Sequence, residues 1–348
     1  MVKTSKTIIF SGGGTLGPVM PLLDIATYYR NLGGYRLLWA GTDHGPEAEV
    51  IKHFPDLEFI PIHSGKIRKD ISISNLLKNI KDLYNIYLGY RQSRVILKKY
   101  NPEWVISAGA YSSVPLHFAA KKLKVKSWLH QLDLQVGLAS KVMMPWANKI
   151  TTLLNPEAYS FFDKYKNIID NSFSLLDTPM NYSDIYQKIY GLDLEHKPSR
   201  QQVLGIINNL FKIKHKKTIT RDSLNILVLG GGTGSLFINN MVRFLIKNIN
   251  KEIKIYHITG YGKGYHEAFK MTQEYKNYHP LEFVDKGMDQ YYKKADLVLS
   301  RAGMGTIANI IKYQKYSILI PLAGHQQSNA AYMSCCGASI VLKQDIKY

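Results

Sequence analysis

Thr7-Ile8-Ile9-Phe10-Ser11-Gly12-Gly13-Gly14-Thr15-Leu16-Gly17-Pro18-Val19-Met20-Pro21 begins as a short β-rich apolar run and breaks into glycines. A helical pattern follows, because Leu22, Leu23, Ile25, Ala26, Tyr29 and Leu32 recur at helical spacing. Gly33-Gly34 then supplies a helix stop. Glycines let a backbone turn sharply and approach a ligand closely, and the N-terminus of the helix behind them favours an anion. A tight turn with a purely structural role is the other reading. The loop is not the dinucleotide fingerprint, which needs an acidic residue closing the second strand. Here that strand ends Trp39-Ala40-Gly41-Thr42-Asp43, with Asp43 already in the loop. A nicotinamide-dependent dehydrogenase is disfavoured on that ground.

Outward from this loop, β-rich runs alternate with helical patterns. The expected strands of the first half are 7–11, 36–40, 57–61, 104–107, 126–129, 149–153 and 172–176. Leu76, Leu77, Ile80, Leu83, Tyr84, Tyr87 and Leu88 mark a long helix running towards Asn101-Pro102. A second series of expected strands occupies 225–229, 254–258, 281–284, 297–300, 318–321 and 339–342. Repeated βα units of this kind demand a parallel sheet covered on both faces. The expected fold class is therefore α/β with two Rossmann-like domains. Their boundaries are an N-terminal domain at 1–176, a lysine-rich linker at 177–223 with a helix of its own at 200–211, and a C-terminal domain at 224–348. Ligands in open α/β sheets sit beyond the carboxyl ends of the strands, so two such sheets facing each other are expected to enclose a cleft.

Composition sets the bounds. At 348 residues the chain is long for one core and comfortable for two. Its 45% hydrophobic and 20% charged residues are those of a globular protein. The 2 cysteines, Cys335 and Cys336, are sequence neighbours that rarely reach disulfide geometry, which favours a reducing, cytoplasmic setting. The apolar run 7–10 is too short for a signal peptide, and no stretch approaches the roughly 20 residues that span a bilayer. A net charge of +19 admits anionic lipid, nucleic acid or phosphorylated substrates as partners, or simply lysines on solvated faces. The basic residues are scattered, apart from Lys212, Lys214, Lys216 and Lys217, and no nucleic-acid-binding module is recognisable.

Three further loops carry candidate chemistry. Gly230-Gly231-Gly232-Thr233-Gly234-Ser235 again joins a strand to a helix. Arg301-Ala302-Gly303-Met304-Gly305-Thr306 opens a helix with small residues, and its free N–H groups with Thr306 suit a diphosphate; ordinary N-capping is the alternative. Pro321-Leu322-Ala323-Gly324-His325-Gln326-Gln327-Ser328-Asn329 places amide and imidazole groups where sugar hydroxyls could be recognised, or where a loop is merely solvated.

The order of these motifs resembles the MurG family, the N-acetylglucosaminyltransferases that complete the lipid-linked precursor of bacterial peptidoglycan. The matches are the first glycine loop, Gly109-Ala110-Tyr111-Ser112-Ser113-Val114-Pro115, and His130-Gln131-Leu132-Asp133 followed by Gly137-Leu138-Ala139. They continue through 230–235, 301–306 and 325–330, spanning nearly the whole chain. The resemblance implies the twin-Rossmann glycosyltransferase fold called GT-B. It implies UDP-N-acetylglucosamine held by the C-terminal half, through Gly231, Gly232, Thr233, Gly234, Ser235, Gly303, Met304, Gly305, Thr306, Asn309, His325 and Gln326. An undecaprenyl-diphosphate-linked muramoyl-peptide acceptor would approach the N-terminal half at Thr15, Leu16, Gly17, Pro18, Tyr111 and Gln131. The implied reaction inverts the anomeric centre and needs neither a cofactor nor a bound metal, because glycine loops and helix N-termini stabilise the diphosphate.

Several positions depart from the family pattern. Pro18 stands where the family has histidine and Leu16 where it has glycine; proline offers neither a proton acceptor nor a backbone donor. The family's His-Glu-Gln-Asn segment reads His130-Gln131-Leu132-Asp133, so the carboxylate has moved to the fourth position. Asp177-Thr178-Pro179-Met180-Asn181 lacks the arginine of the family's turn, and Asn309 replaces the glutamate that holds the ribose. Asp133 becomes the candidate general base, with His130 behind it. The alternatives are a helix cap before Gly137 for Asp133 and a structural hydrogen bond for His130. The family continues past its last strand into helices, whereas this sequence ends at Tyr348, so either a fragment or a missing closing helix is expected.

The lipid acceptor implies a peripheral position on the cytoplasmic face of an anionic membrane. Lys66-Ile67-Arg68-Lys69 with Ile71, Ile73, Leu76 and Leu77 is the candidate surface, a loop leading into a packed helix the competing reading. Two rivals remain at this point: transfer to another lipid such as diacylglycerol, and a catalytically silent UDP-sugar-binding scaffold. No nucleic-acid partner is expected.

Overall fold

A computed structural model describes residues 6–68, 72–170, 207, 224–284 and 287–342. The chain divides into two compact units, Met1–Pro179 and Met180–Tyr348.

The first unit is built on a seven-stranded sheet in the order β3-β2-β1-β4-β5-β6-β7. Its strands are β1 (Lys6–Ser11), β2 (Tyr35–Gly41), β3 (Leu57–Pro61), β4 (Trp104–Ser107), β5 (Ser127–Gln131), β6 (Lys149–Thr152) and β7 (Ile169–Asp170). Every neighbouring pair is parallel. The connecting helices are α1 (Val19–Leu32), α2 (Pro46–Ile51), α3 (Ile73–Tyr100), α4 (Val114–Leu123), α5 (Leu138–Met143) and α6 (Phe162–Tyr165). Ile8, Ile9 and Phe10 are all fully buried, as a strand covered on both faces requires. Ile9, Leu38, Val105, Leu116 and Leu97 share one core under α3 and α4. Gly33, at φ 69°, ends α1 and donates its N–H back to the Arg30 carbonyl.

The second unit repeats the plan with six parallel strands in the order β10-β9-β8-β11-β12-β13. These are β8 (Asn225–Leu229), β9 (Lys254–Ile258), β10 (Tyr278–Leu281), β11 (Leu297–Ser300), β12 (Tyr316–Leu319) and β13 (Ser339–Val341). Its helices are α7 (Leu236–Asn248), α8 (Tyr265–Met271), α9 (Met288–Lys294), α10 (Met304–Lys312) and α11 (His325–Cys335). Met241, Val242, Leu245 and Ile246 of α7 pack with Ile226, Val228 and Leu299, and Ile207 joins that core.

Both sheets carry the strand order 3-2-1-4-5 of a doubly wound fold, whose direction of winding reverses beside the first strand. The glycine loops after β1 and β8 thus lie at the two switch points, where such sheets bind ligands.

Some expected boundaries move. The strand expected at 281–284 lies earlier, at Tyr278–Leu281, and includes Pro280. Pro280 is tolerated because β10 is an edge strand, where a missing N–H costs no ladder bond. The strand expected at 126–129 runs to Gln131, so His130 and Gln131 belong to β5. The strand expected at 318–321 is centred two residues earlier, at Tyr316–Leu319. The expected strand at 172–176, the helix at 200–211 apart from Ile207, and the lysine cluster at 212–217 lie outside the described residues. Among the described residues no helix is long and apolar enough to cross a membrane.

Candidate functional site

In the first unit the glycine loop is shaped by a residue of α2. The Glu47 side chain is fully buried and accepts from the Gly14 N–H (3.0 Å), the Thr42 N–H (3.0 Å) and the Thr42 hydroxyl (2.6 Å). A Cβ on Gly13 would stand 2.0 Å from Glu47 Oε1, so only glycine lets the loop close onto the carboxylate. Trp39 Nε1 donates to the Gly12 carbonyl (3.1 Å) and Ser113 Oγ to the Ser11 carbonyl (2.8 Å). An internal anion therefore sits where a loop of this kind would otherwise meet a phosphate.

Tyr111 closes over the same loop. Gly14 has φ +76°, and a Cβ there would lie 2.4 Å from Tyr111 Cε1. Burial, with the negative charges of Glu47 and Asp82 behind it, raises the Tyr111 phenol above its ordinary pKa, so it remains a hydrogen-bond donor. Thr15 and Gly17 are exposed, while Leu16 and Pro18 are half-buried. Pro18 occupies the N-cap of α1 at φ −72° and ψ −21°, with no side-chain cap. The Leu16 carbonyl accepts from the N–H groups of Val19 and Met20, each at 3.2 Å.

At the end of β5 the three polar residues have different surroundings. His130 is 4% exposed, and its Nδ1 lies 2.8 Å from Thr151 Oγ1, whose oxygen accepts from Trp128 Nε1 at 2.7 Å. Burial pulls the His130 imidazole down to about 4, so it is neutral and poorly placed to accept a proton from solvent-borne substrate. Gln131 Nε2 donates to the Asp133 carbonyl at 2.6 Å, while its buried Oε1 has no partner among the described residues. Asp133 is half-buried in the bend after β5. It does not cap α5, whose N-cap is Gly137 without a side-chain bond, so the capping alternative is set aside.

In the second unit the loop after β8 leads into α7 through Ser235, whose Oγ accepts from the Ile238 N–H at 3.4 Å. Gly232 and Thr233 are exposed, and Gly231 and Gly234 are half-buried. The same Ser235 Oγ accepts from Arg301 Nη2 at 3.0 Å, while Arg301 Nη1 donates to the Ile320 carbonyl at 3.0 Å. Arg301 is 5% exposed and its guanidinium lies 5.6 Å over the Phe237 ring. No carboxylate pairs with it among the described residues. Burial lowers it to about 10, which leaves it cationic at neutral pH. A buried cation without an anion costs free energy, and an arriving phosphate would offset that cost.

The loop after β11 starts α10 at Gly303, again with no side-chain cap. The N–H groups of Thr306 and Ile307 both turn back to the Gly303 carbonyl at 3.0 Å. Met304 is buried, so only its backbone can face a ligand. Gly305 and Thr306 are half-buried. Asn309 Nδ2 donates to the Gly305 carbonyl at 3.2 Å, and the buried Tyr292 hydroxyl faces both Asn309 and Thr306. At the start of α11, Gln326 Oε1 accepts from the Leu322 N–H at 3.1 Å, and His325 is exposed. Asn329 of the same helix reaches the Ala302 carbonyl at 3.2 Å.

The structure thus joins Tyr111 to the first glycine loop and Gln131 to Asp133. It joins Ser235 to the loop at 301–306 through Arg301, and Asn309 to Thr306 through Tyr292. Among the described residues no hydrogen bond ties His325 to the loop at 230–235. Sequence reasoning missed Glu47, six residues beyond the end of β2, because it looked for an acid only at the strand's end. It quoted Arg301 as part of a motif without giving it a role, and only the absence of a nearby acid singles it out.

Comparisons with known proteins bear on both units. Residues 8–152 match the glycosyltransferase family 28 N-terminal domain, and residues 225–347 match the glycosyltransferase family 28 C-terminal domain. A UDP-N-acetylglucosamine--N-acetylmuramyl-(pentapeptide) pyrophosphoryl-undecaprenol N-acetylglucosamine transferase of Lachnoclostridium phytofermentans is 30% identical over 348 residues, which is 98% of this chain and 87% of that protein. A protein of the same name from Clostridium botulinum strain 657 is 31% identical over 345 residues, again 98% of this chain and 87% of the relative. Among solved structures, the crystal structure of Acinetobacter baumannii MurG superposes with a TM-score of 0.64 at 19% identity, covering 99% of this chain and 87% of that one. The two parallel-sheet α/β units are those of a GT-B glycosyltransferase.

Proposed function

The chain belongs to the MurG family of family 28 glycosyltransferases, and from that premise we propose that it moves N-acetylglucosamine from UDP-N-acetylglucosamine to an undecaprenyl-diphosphate-linked muramoyl-peptide, completing a peptidoglycan precursor. The observation that carries the donor half of this reading is Arg301, a buried guanidinium lacking a carboxylate partner among the described residues and bonded to the Ser235 hydroxyl. A UDP diphosphate is the anion it suits, seated against the backbone of 230–235 and the start of α10. Gly231, Gly232, Thr233, Gly234 and Ser235 line that seat, with Gly303, Met304, Gly305 and Thr306 opposite. Asn309, steadied by Tyr292, addresses the ribose, and His325 and Gln326 address the sugar.

The acceptor half rests on the first unit. Glu47 already satisfies the inner face of the first glycine loop, so the turn Thr15-Leu16-Gly17-Pro18, exposed at Thr15 and Gly17, and the Tyr111 hydroxyl are the groups left for an acceptor. In the reaction the acceptor hydroxyl oxygen forms a bond to the anomeric carbon as the bond from that carbon to the diphosphate oxygen breaks. The electron pair leaves with UDP, and the hydroxyl proton passes to a base. Asp133 takes that role, because His130 is buried, neutral and tied to Thr151. The leaving diphosphate gains negative charge as the bond breaks, and the buried Arg301 guanidinium stabilises it.

The lipid on the acceptor calls for a membrane surface, and α3 offers one. Leu76, Ile80, Leu83, Tyr84 and Tyr87 recur on one helical face and are each more than half exposed, with Leu77 beside them at 66%. Ile96 and Leu97 pack the far end of α3 against α4, whereas this face stays open. Lys66, Lys78 and Lys81 are exposed near the same end. An anionic bilayer on the cytoplasmic side suits that combination of apolar and basic groups.

A thermal-shift screen of nucleotide sugars tests the donor assignment. UDP and UDP-N-acetylglucosamine are expected to raise the melting temperature and a nicotinamide dinucleotide is not; no shift with any uridine nucleotide would overturn the reading.

A further inference from the structure

A buried line of hydrogen bonds runs through the second unit from its edge strand to the loop that braces the glycine turn at 230–235. His257 of β9 is 1% exposed. Its Nδ1 lies 2.7 Å from the Tyr278 hydroxyl on neighbouring β10, and its Nε2 lies 2.9 Å from Asn239 Oδ1 on α7. Asn239, 3% exposed, uses its Nδ2 to donate to the carbonyls of Thr259 (3.0 Å) and Lys263 (2.9 Å).

These partners set the direction of the bond between Asn239 and His257. The Asn239 amide nitrogen is committed to two carbonyls, so its Oδ1 must accept. His257 therefore carries its proton on Nε2, and its bare Nδ1 accepts from the Tyr278 hydroxyl. In the neutral imidazole both bonds are made with Nε2 donating and Nδ1 accepting. Burial, helped by the charge of Arg243, pulls His257 down to about 3 and keeps it in that form.

The line ends on Thr259-Gly260-Tyr261-Gly262-Lys263-Gly264, in which all three glycines have positive φ, at 86°, 63° and 88°. This loop touches the glycine turn backbone to backbone. A Cβ on Gly234 would stand 2.3 Å from the Thr259 carbonyl, and one on Gly260 would stand 2.5 Å from the Gly234 Cα. With no side chain between them, the position of one loop dictates the position of the other.

We infer that Tyr278, His257 and Asn239 form a positioning relay that sets the turn at 230–235 for the donor diphosphate. The relay rests on the reading of that turn as the diphosphate seat. None of its three side chains touches the donor; they act through 259–264.

Three variants separate this role from a structural one. His257→Leu removes both ring bonds, Tyr278→Phe removes the far one, and His257→Gln puts an amide nitrogen where Nε2 stood and so can still donate to Asn239. UDP affinity by calorimetry, with KM for UDP-N-acetylglucosamine and for the lipid acceptor, is measured well below each variant's melting temperature. His257→Leu is expected to weaken UDP binding and raise the donor KM by ~10-fold, with Tyr278→Phe at ~3-fold and His257→Gln recovering most of the loss. The acceptor KM is expected to stay unchanged. A merely structural role would lower melting temperatures and leave UDP affinity alone. Unchanged UDP affinity in folded His257→Leu and Tyr278→Phe overturns the relay, and Tyr278→Phe, which keeps the ring, carries the test if the leucine variant does not fold. Failure of the unaltered protein to bind UDP overturns the diphosphate reading itself, so the two failures are told apart.

Discussion

Arg301 Nη2 donates to Ser235 Oγ across 3.0 Å and thereby ties the end of β11 to the glycine turn after β8. The bond joins two loops that are 66 residues apart in the chain and adjacent at the sheet's switch point. It also leaves a buried cation bonded to the turn that carries the exposed Gly232 and Thr233.

Arg301→Met keeps the side chain's length and removes its charge. In the nucleotide-free protein the buried guanidinium has no carboxylate partner among the described residues, so its loss is expected to change the melting temperature little. UDP affinity is expected to fall by ~10- to 100-fold, the range for losing a charge-assisted hydrogen bond. Arg301→Lys restores the charge without the fork that reaches both Ile320 and Ser235, so its recovery is expected to be partial. Calorimetry with UDP checks both, and undiminished binding in the methionine variant would contradict the assignment.

Glu47→Gln tests the internal anion of the first loop. Three donors converge on this carboxylate: the Gly14 N–H, the Thr42 N–H and the Thr42 hydroxyl. An amide replaces one acceptor oxygen with a donor, which is expected to cost about 1–3 kcal/mol in chemical denaturation. The acceptor KM is expected to rise while UDP affinity, a property of the other unit, stays constant. A rise in both would contradict the division of roles between the loops.

How much of this was legible in the sequence depends on which physical signal each feature left. The glycine loops after β1 and β8 announced themselves, because strand, glycines and helix in that order leave few other folds, and the parallel sheets followed. Edge strand β10 did not, since Pro280 and the polar His279 break the apolar run that marks a buried strand. The expected strand at 126–129 stops short of His130 and Gln131, because polar residues rarely end a fully buried strand, yet Thr151 on the neighbouring strand supplies the partner that makes it possible. Glu47 was invisible for a different reason. Its role comes from a contact 33 residues away, and spacing along the chain carries no trace of that. The long periodic helix α3 was found correctly, but periodicity could not say that its apolar face would stay exposed.

Three buried imidazoles make stability depend on pH. Burial lowers His117 and His130 to about 4 and His257 to about 3, against about 6.5 for an unfolded histidine. Below pH ~6.5 the unfolded chain takes up protons that the folded chain refuses, so stability is full above that value and is lost as pH falls toward ~4. Each site contributes up to ~1.4 kcal/mol per pH unit in that window. His117, whose two ring nitrogens have no partner among the described residues, is the site to replace. His117→Leu is expected to flatten the decline in urea midpoint between pH 7 and pH 5, and an equally steep decline would contradict its neutral burial.

The exposed face of α3 is tested with Ile80→Glu and Leu83→Glu, side chains 58% and 57% exposed. Both are expected to leave the melting temperature unchanged and to abolish flotation with vesicles rich in anionic lipid. Arg68 is the wrong residue for this purpose, because its guanidinium is held by Asp82 at 2.5 Å. Flotation undiminished in the double variant would remove α3 as the membrane surface.

The most direct measurement is a transfer assay in detergent with the unaltered chain, UDP-N-acetylglucosamine and an undecaprenyl-diphosphate muramoyl-peptide. Diacylglycerol is offered in parallel, and Asp133→Asn is run as the variant that keeps UDP affinity and loses turnover. The expected result is one UDP released for each β-linked N-acetylglucosaminyl product on the muramoyl lipid, and no product on diacylglycerol. UDP binding without product on the muramoyl lipid, or product on diacylglycerol alone, would contradict the account.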